Sequence, residues 1–469
     1  MRVSFYLLIY LLATASLYSG DSIDDQETAQ NPQQVSIEEF VKTAVSKDQM
    51  FEQILIDEMK LKYLNALNVP AGDLIISAKS QYEFISGNSE YNGADFAVSL
   101  EKLFPYTGTE LEAGYSSSNL STSDENSSSL SFLISQSVAG NAFGKVNELL
   151  DRITGTETAI AEYQITEAYE DYLAKITTLY YNWYFAYENF KIGELSYEQS
   201  LKLLDNMRER RKSKIALPVD VNKINIQTLT KKENLIKLDE KYRSLVNTIK
   251  KVLRYNGSRD IVPSAPFNYQ DIDIDFNVEY REFINTSRTY RILNLLVQKT
   301  GMEADVASDA LLPSASLFAG YSGSGTGYAL NDIKNTIYGG VSFDWNPKAT
   351  RDSAKHEIAK IEDRKLRIKN TNKLLELETG IKNLFFEIER EKELIKIAEE
   401  KIELVSSILE DEIRNYTYGK VSLNDYIDAV NKLDENRFSS ILHNIELKIL
   451  ITEWLRLTDK LISKKDLRK

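Results

Sequence analysis

Residues 413–429 read Ile-Arg-Asn-Tyr-Thr-Tyr-Gly-Lys-Val-Ser-Leu-Asn-Asp-Tyr-Ile-Asp-Ala, and long helical patterns precede and follow them. Gly419 is placed to end the first helix, because glycine adopts the left-handed conformation after a helix without a steric cost. Ser422 can cap the second helix, and Asp425, three residues later, can complete a capping box. Asp425 and Asp428 share one helical face. The stretch therefore predicts a helical hairpin with two carboxylates near its tip.

The composition of the 469 residues excludes several classes of protein. A net charge of −13 argues against nucleic-acid binding, which needs a basic surface. The chain has no cysteine, and its two histidines, His356 and His443, lie in charged helical stretches, where we interpret them as solvated residues. The sequence shows no nucleophile, metal cluster or phosphate loop, so we predict no catalytic residue, no cofactor and no metal.

The beginning of the chain has the pattern of an export signal. A basic start, an apolar run at residues 5–13 and the small residues Ala13-Thr-Ala15 predict a secretory signal peptide. No later window has the ~18 to 20 consecutive apolar residues of a transmembrane helix. We therefore expect an exported protein in which any membrane crossing is made by strands.

An amphipathic helix is predicted over residues 35–67, after which the apolar period changes from helical to two. Four strands follow, joined by polar loops at 86–93 and 116–128 and by a tight turn at 105–108. Long loops on one side and short turns on the other are typical of outer-membrane barrels. A soluble β-sandwich shows the same alternation, so the period alone leaves both architectures open.

The rest of the chain alternates between long helices and strands. Helical patterns run from about 142 to 214 and on to about 255, and a linker is predicted over 256–278. A further helix is predicted over 278–307, then two strands up to residue 347 and a final helical hairpin over 349–461. All eight prolines fall at these boundaries, as expected of a residue excluded from helix interiors and central strands.

The two halves of the chain resemble each other. Ile176 and Ile381 are 205 residues apart and lie in similar apolar patterns, and Asp220 and Asp425 have the same separation. Each half is predicted to contain a strand pair, a long helix, an acidic tip and a return helix, which indicates duplication. The first half has an additional strand pair, in residues 73–104.

The second long helix has a seven-residue apolar repeat. Its members are Leu374, Ile381, Ile388, Ile395, Ile402 and Leu409. A sustained period of 3.5 residues predicts coiled-coil packing. A helix with an apolar repeat from Leu374 to Leu409 needs neighbours along its whole length. We therefore expect the protein to form oligomers.

This exported, duplicated arrangement of strands and helical hairpins resembles the TolC-like outer-membrane efflux protein family, the outer membrane factors. The likeness covers nearly all of the predicted mature chain, and its most specific parts are the tips, Gly419 to Asp425 and Lys214 to Asp220. The passages 135–144 and 342–347 also resemble the strand-to-helix junctions of the family. The resemblance implies an α+β membrane protein, in which a trimeric outer-membrane β-barrel continues into a long α-helical coiled-coil barrel.

On this basis the chain divides into segments of the two repeats. They are a signal peptide (1–20), an N-terminal segment and helix (21–72), barrel strands (73–140) and a long helical hairpin (141–256) of the first repeat, a linker and helix (257–312), barrel strands (313–347) and a long helical hairpin (348–463) of the second repeat, and a tail (464–469). Six strands per chain would give a trimeric barrel of 18 strands, whereas the family has 12. In the alternative, residues 86–115 are an extracellular excursion.

The resemblance also implies roles for residues of the tips. Asp425 and Asp428 would form rings of carboxylates in the entrance constriction, where repulsion raises some carboxylate pKa values and favours cations. Asp425 and Asp220 could instead be ordinary acids at the start of a helix, where the helix dipole favours them. The implied contacts with a periplasmic adaptor are made by Lys214, Ile215, Ala216, Gly419, Lys420 and Val421.

A latch at the entrance is a further implication of the family resemblance. Tyr416 would bond to Asp220 and hold the entrance shut. Where the family has an arginine after the tip, this chain has Val421, so the neighbouring Lys420 is the predicted substitute.

The function implied is that of a passive exit duct of a tripartite efflux or type I secretion system, which conducts drugs or proteins from the periplasm to the exterior. The implied partners are two further copies of the chain, a periplasmic adaptor, an inner-membrane pump and outer-membrane lipid, but no nucleic acid. The alternative is an exported structural coiled-coil protein or adhesin of the cell envelope. A secreted enzyme is the weakest alternative.

Overall fold

The computed structural model describes residues 32–68, 72–85, 91–120, 127–257, 259–266, 274–328 and 330–462. The predicted signal peptide and the tail at 464–469 lie outside these residues. The elements in chain order are β1 (Gln33–Val35), α1 (Ile37–Lys47), α2 (Gln49–Asn68), β2 (Leu74–Ile85), β3 (Tyr91–Phe104), β4 (Thr109–Leu120), β5 (Ser127–Ala139), α3 (Lys145–Lys212), α4 (Pro218–Leu253), β6 (Ile261–Pro263), α5 (Phe276–Thr286), α6 (Arg288–Asp309), β7 (Ser314–Thr326), β8 (Asn331–Asp344), α7 (Thr350–Thr417) and α8 (Leu423–Leu457).

The chain divides into two compact units. The sheet unit consists of residues 58–164 and 289–374, and the helical unit consists of residues 1–57, 165–288 and 375–469. Among the described residues, no helix combines the length and the apolar character needed to cross a membrane.

Six antiparallel strands form one sheet in the sheet unit, in the order β2-β3-β4-β5-β7-β8. The additional strand pair of the first half is therefore part of the sheet, and the alternative of an excursion over 86–115 is wrong. The strands also extend into the predicted loops. β4 pairs with β3 as far as Leu120, and β5 pairs with β4 from Ser127 onward, where serines lie opposite serines. Residues 86–90 and 121–126 lie outside the described part.

The two faces of the sheet differ in chemistry from one edge to the other. One row of directly paired residues is Ile76, Leu100, Ala113, Phe132, Tyr321 and Ile337. The next row, on the opposite face, is Ser77, Ser99, Gly114, Ser131, Ser322 and Thr336. The apolar row is exposed, with 67% of Ile76, 49% of Phe132 and 86% of Ile337 accessible. In the described part of the chain no second sheet of comparable size covers this face, as a sandwich would require.

The turn between β3 and β4 packs closely on the junction that leads from β5 into α3. Gly144 has a φ of +76°, and a Cβ atom placed on it would lie 2.2 Å from the carbonyl oxygen of Pro105. Asn147 donates a hydrogen bond to the same oxygen over 3.2 Å, and the Tyr106 hydroxyl donates to Asp151 over 3.1 Å. The backbone of the turn thus fits the start of α3 only because position 144 has no side chain.

The helical unit has an aromatic core. Tyr180 and Trp183 of α3 are fully buried, and their rings meet edge to face at 5.7 Å between centroids. The Tyr180 hydroxyl donates to the carbonyl oxygen of Val35 over 2.8 Å. Val35 belongs to β1, which pairs in parallel with β6. These two short strands correct the sequence prediction, which placed no strand in the N-terminal segment and helix (21–72) or in the linker over 256–278.

A buried ion cluster joins distant parts of the helical unit. The guanidinium of Arg288, at the start of α6, bonds to the carboxylate of Glu170 and lies 3.0 Å from that of Asp459. Glu170 also accepts the backbone N–H of Ile462 over 3.0 Å. Glu170 and Arg288 are 2% and 7% exposed. Burial raises the pKa of Glu170 to about 7, although Arg288 acts to lower it.

Two predicted helices are interrupted in the structure. The helix predicted over 35–67 breaks at Asp48, whose extended backbone allows its carboxylate to accept the N–H of Met50 and the hydroxyl of Tyr172. The helix predicted over 278–307 breaks at Ser287, after which the N–H of Arg288 donates to Asp459. At each break a carboxylate side chain accepts a backbone N–H that would donate to a carbonyl oxygen in a continuous helix.

The predicted duplication is confirmed by the helix lengths. α3 and α7 each contain 68 residues, and α4 and α8 contain 36 and 35. The first residues of the paired helices differ by 205 in both cases, Lys145 and Thr350 for the long pair and Pro218 and Leu423 for the return pair. Three members of the seven-residue repeat, Ile381, Ile388 and Ile395, are at most 1% exposed.

One histidine has a different environment from the one predicted. Nδ1 of His443 lies 2.8 Å from the carboxylate of Glu391, a residue only 3% exposed. Arg390 bonds to the same carboxylate. His443 is therefore part of a polar contact between α7 and α8, because the buried carboxylate needs partners in that location.

Candidate functional site

The first tip joins α3 to α4 through a left-handed residue that is not glycine. Lys214 has a φ of +61°. The N–H groups of Ile215 and Ala216 then donate to the carbonyl oxygen of Arg210, which closes the end of α3. Asp220 accepts the N–H of Leu217 over 3.2 Å and so caps the start of α4. The lysine thus adopts the left-handed conformation that Gly419 adopts at the second tip.

The second tip has the same backbone arrangement, with the glycine, serine and aspartate that the sequence analysis predicted. Gly419 has a φ of +70°, and the N–H of Lys420 donates to the carbonyl oxygen of Asn415 over 2.9 Å. The hydroxyl of Ser422 accepts the N–H of Asp425, while the Asp425 carboxylate accepts the N–H of Ser422 over 2.9 Å. The predicted glycine end and capping box are both confirmed.

The two acids proposed for the entrance have different roles in the chain. The Asp425 carboxylate also accepts the hydroxyl of Ser422 over 2.7 Å, and the hydrogen bonds from Ser422 hold its pKa below the usual range. Asp428, one turn further along α8, is exposed. Asp425 is thus both a capping residue and an exposed negative charge of the tip.

The predicted latch does not form as a hydrogen bond between Tyr416 and Asp220. The hydroxyl of Tyr416 lies 3.4 Å from the sulfur of Met207, and the Asp220 carboxylate accepts the N–H of Leu217. Lys420 does not take the place of the missing arginine either. Its ammonium lies 5.8 Å from the ring centroid of the exposed Tyr418.

Arg210, near the end of α3, contacts Tyr416 instead. Its guanidinium carbon lies 5.2 Å from the centroid of the Tyr416 ring. The Tyr416 ring stacks on that of Tyr426, with centroids 5.8 Å apart and planes inclined by 18°. Sequence analysis missed this arrangement. The available signals were Met207 and Arg210 one helical turn apart on the first hairpin and two tyrosines that flank the second tip.

A small apolar cluster underlies these contacts. Its buried members are Leu204, Met207, Val221, Ile224 and Leu423, which come from α3, α4 and α8. Tyr416 and Tyr426 pack against this cluster, and burial raises the pKa of both hydroxyls. Both tyrosines are therefore neutral in any ordinary buffer. The tip cluster is separate from the aromatic core around Trp183.

Polar contacts extend the tip-to-tip association along α4 and α8. Lys223 donates to Asn424 over 3.2 Å, and Gln227 donates to Asn431 over 2.6 Å. Further along, the buried carboxylate of Asp434 pairs with Lys231 at 2.8 Å. The two hairpins therefore lie side by side within one chain, joined by residues about 200 positions apart.

The residues predicted to contact an adaptor are accessible to different degrees. Ile215 is 67% exposed, and Lys214, Gly419 and Lys420 are also exposed, whereas Ala216 and Val421 are half-buried. The first tip exposes two more apolar side chains, Leu217 at 63% and Val219 at 51%. An exposed apolar surface of this kind at the end of a helical hairpin suits contact with another protein.

The two tips carry opposite charge. Residues 205–223 contain six basic and three acidic side chains, whereas the corresponding residues 410–428 contain two basic and five acidic ones. The difference arises mainly from Arg208, Arg210, Arg211 and Lys212 at the end of α3. The described residues contain no group of three or more histidine or acidic side chains arranged to hold a metal ion.

The structure resembles solved outer-membrane channels. It superposes on the CmeC outer membrane channel of Campylobacter jejuni with a TM-score of 0.68 and 12% identity, over 96% of this chain and 95% of that one. For CusC, a protein studied in transmembrane channel formation, the TM-score is 0.68 at 11% identity, over 95% of this chain and 99% of that one. For the outer membrane protein VceC of Vibrio cholerae the values are 0.66 and 11%, over 89% and 95%.

The chain therefore has the TolC-like fold of the outer membrane factors, as its sequence predicted. The sequence itself matches no protein-family model and no curated protein. At 11 to 12% identity the likeness establishes the fold, which is a helical structure combined with a β-sheet.

Proposed function

We propose that the protein is a passive exit duct of the outer membrane, built from three copies of the chain. The observation that carries this proposal is the six-stranded sheet, in which an exposed, mainly apolar row from Ile76 to Ile337 is followed on the opposite face by a row of serine, glycine and threonine from Ser77 to Thr336. Such alternation is what a barrel needs when lipid lies outside and water inside.

The edges of the sheet support closure of a barrel between copies of the chain. β2 and β8 are the edge strands, and within a membrane every backbone group of an edge needs a partner. Each of the six strands is antiparallel to its neighbour, so the two edge strands run in opposite directions. β8 of one copy can therefore pair antiparallel with β2 of the next copy. Three copies then close a barrel of 18 strands without changing the pairing within any copy.

The helical hairpins support a periplasmic tunnel with its entrance at the tips. In this proposal Asp425 and Asp428 line the entrance, and the adaptor contacts Lys214, Ile215, Ala216, Gly419, Lys420 and Val421. An inner-membrane pump supplies the energy, because a duct has no catalytic groups of its own. The alternative, an exported coiled-coil protein or adhesin, needs no sheet with an exposed apolar face.

The proposal is tested by the conductance of the purified protein in a planar bilayer. We expect discrete channels that prefer cations. Isosteric replacement of both acids, Asp425→Asn with Asp428→Asn, is expected to lower the cation-to-anion permeability ratio by roughly twofold or more, because it removes six carboxylates from three copies. The ratio follows from the reversal potential in a salt gradient.

Glu357→Gln is the matched control, since Glu357 is an exposed acid of α7 in the sheet unit and pairs only with Lys360. Its reversal potential should equal that of the unmodified protein. Absence of channels would contradict the duct. Channels whose selectivity is the same with and without the two acids would contradict the entrance role of Asp425 and Asp428.

A further inference from the structure

We propose that the polar face of the sheet, which carries the row from Ser77 to Thr336, binds organic cations that have an aromatic or other flat apolar part. We call the binding site the cation platform. Its members are Phe318, Tyr338, Leu133, Glu101, Glu110 and Glu112. In the proposed duct this face lines the water-filled interior, so the inference rests on the proposed function for its location and names a class of substrate for that duct.

Two aromatic rings lie on this otherwise polar face. Phe318 of β7 is directly opposite Gly340, and Tyr338 of β8 is directly opposite Gly320. Each ring covers the glycine across from it, since a Cβ atom on Gly340 would lie 2.7 Å from Cζ of Phe318, and one on Gly320 would lie 2.6 Å from the hydroxyl oxygen of Tyr338. The ring centroids are 6.4 Å apart. The two glycines thus allow both rings to lie across the strands, where Tyr338 is still 38% exposed.

Three carboxylates share this face. Glu101 and Glu112 are directly opposite each other on β3 and β4, and Glu110 lies two residues before Glu112, hence on the same face. Like charges directly opposite each other destabilise a sheet. In the described part of the chain none of the three forms an ion pair. The neighbouring Lys102 is on the opposite face, where it donates to the carbonyl oxygen of Gly72. The sheet therefore does not neutralise this negative charge itself, and the charge favours a cation from solution.

Two adjacent rows of paired residues lead from the acids to the rings. They are Glu112, Leu133 and Gly320 in one row and Glu110, Ser135 and Phe318 in the next. Because the Tyr338 ring covers Gly320, an acid and a ring are two strands apart in both rows, or about 10 Å at about 4.8 Å per strand. The side chain of Leu133 is an apolar surface between them.

This arrangement is complementary to a molecule that combines positive charge with a flat apolar group. Aromatic faces attract cations and also stack on other aromatic systems, so the rings of Phe318 and Tyr338 can hold the apolar part. The carboxylates supply the opposite charge about 10 Å away. The described residues contain no group of three or more acidic or histidine side chains arranged to hold a metal ion, so the platform is assigned to an organic cation.

Binding of ethidium, an aromatic organic cation whose fluorescence rises when it leaves water, tests the platform in the purified full chain in detergent. Glu110→Gln with Glu112→Gln is expected to weaken the binding roughly tenfold, because two exposed charges are removed from each site. Tyr338→Ala is expected to weaken it roughly threefold or more, whereas Tyr338→Phe keeps the ring and should bind ethidium as the unmodified protein does.

Glu83→Gln is the matched control, since Glu83 is an exposed acid of the same face near the other end of β2. Its ethidium binding should be unchanged. The variant with both Glu110 and Glu112 replaced should melt no lower than the unmodified protein, because the repulsion between Glu101 and Glu112 is relieved. Equal ethidium binding by this variant and by Glu83→Gln would overturn the proposal, as would unchanged binding by Tyr338→Ala. A lower melting temperature of the double variant would assign the acids a structural role and would also overturn it.

Channel recordings separate this proposal from the proposed function, since binding in detergent needs the folded sheet but no conduction. Channels in a planar bilayer without ethidium binding would reject the platform and leave the duct. Ethidium binding with the expected order of the variants, but without channels, would reject only the duct. If both are correct, ethidium should lower the current through the unmodified protein more than the current through the double variant.

Discussion

Replacing Arg288 with methionine is expected to lower the free energy of unfolding by about 3 to 5 kcal/mol, which is the usual result of breaking a buried ion pair from one side. The carboxylates of Glu170 and Asp459 would stay in the interior without their common cation. Three segments would lose their connection, namely the first part of α3, the start of α6 and the residues after α8.

The loss of stability caused by Arg288→Met should be smaller at low pH than at high pH. Between the unfolded pKa of a glutamate and about 7, the folded protein binds more protons at Glu170 than the unfolded chain, so its contribution to stability declines as the pH rises through this range. Without Arg288 the pKa of Glu170 rises further. Protonation at pH 5 then removes the buried charge, and the deficit of Arg288→Met should be smaller at pH 5 than at pH 8.

Thermal unfolding followed by circular dichroism at 222 nm in detergent measures this effect. The melting temperature should fall by roughly 3 to 5 °C at pH 8, because the entropy of unfolding scales with the 469 residues of the chain. Arg243→Met is the matched control, because Arg243 forms an exposed ion pair with Asp239 within one helix. Such pairs contribute about 0 to 1 kcal/mol. Equal melting temperatures for the two variants would contradict a structural role of the buried cluster.

Replacing Gly144 with alanine is expected to cost about 3 kcal/mol or more, since it combines a strained backbone conformation with overpacking. The φ of +76° disfavours a side chain, and the new Cβ would meet the carbonyl oxygen of Pro105 and the N–H of Gly108, both of them backbone groups. The turn between β3 and β4 would have to move away from the start of α3. We expect a lower melting temperature and a smaller yield of folded protein in the membrane fraction.

Gly155→Ala provides the comparison, at a glycine inside α3 rather than at the turn before it. Gly155 lies in α3 and is exposed, and a Cβ added there would have no neighbouring atom within 4 Å. Alanine there should stabilise the helix by up to about 1 kcal/mol. If Gly144→Ala melts at the same temperature as Gly155→Ala, the close contact between turn and helix does not exist in the protein.

The sequence was sufficient to predict the repeated architecture, because its signals are local and periodic. The alternation of apolar residues in the strands, the seven-residue repeat around Ile388 and the prolines at boundaries each follow from the geometry of one element. The tip at Gly419 was predictable for the same reason. A glycine end and a capping box are set by residues three or four positions apart.

Features that depend on distant residues were not predictable. The breaks at Asp48 and Ser287 follow from bonds to Tyr172 and Asp459, residues more than 100 positions away. The pairing of β1 with β6 joins Val35 to Pro263, and neither segment has a periodic pattern. In such places tertiary contacts override the local preference for helix or irregular structure.

In the candidate site, too, local features were predictable and contacts between distant residues were not. The cap made by Asp425 was predicted, since its residues lie beside their own tip, whereas Asp220 was predicted only as a latch residue or as an acid of a first helical turn. The contact of Arg210 with Tyr416 was missed because it joins residues 206 positions apart, and the resemblance directed attention to Asp220 and Lys420 instead. The family resemblance thus directed attention to the tips, but it did not predict the contacts between their residues.

Electron microscopy of the purified protein tests the central claim, that three copies share one duct, most directly. The proposal predicts a particle with three-fold symmetry and a single barrel of 18 strands, in which β8 of one copy pairs with β2 of the next and the row from Ile76 to Ile337 faces the detergent. Closure of six strands within each chain, or two sheets packed through their apolar faces, would contradict it.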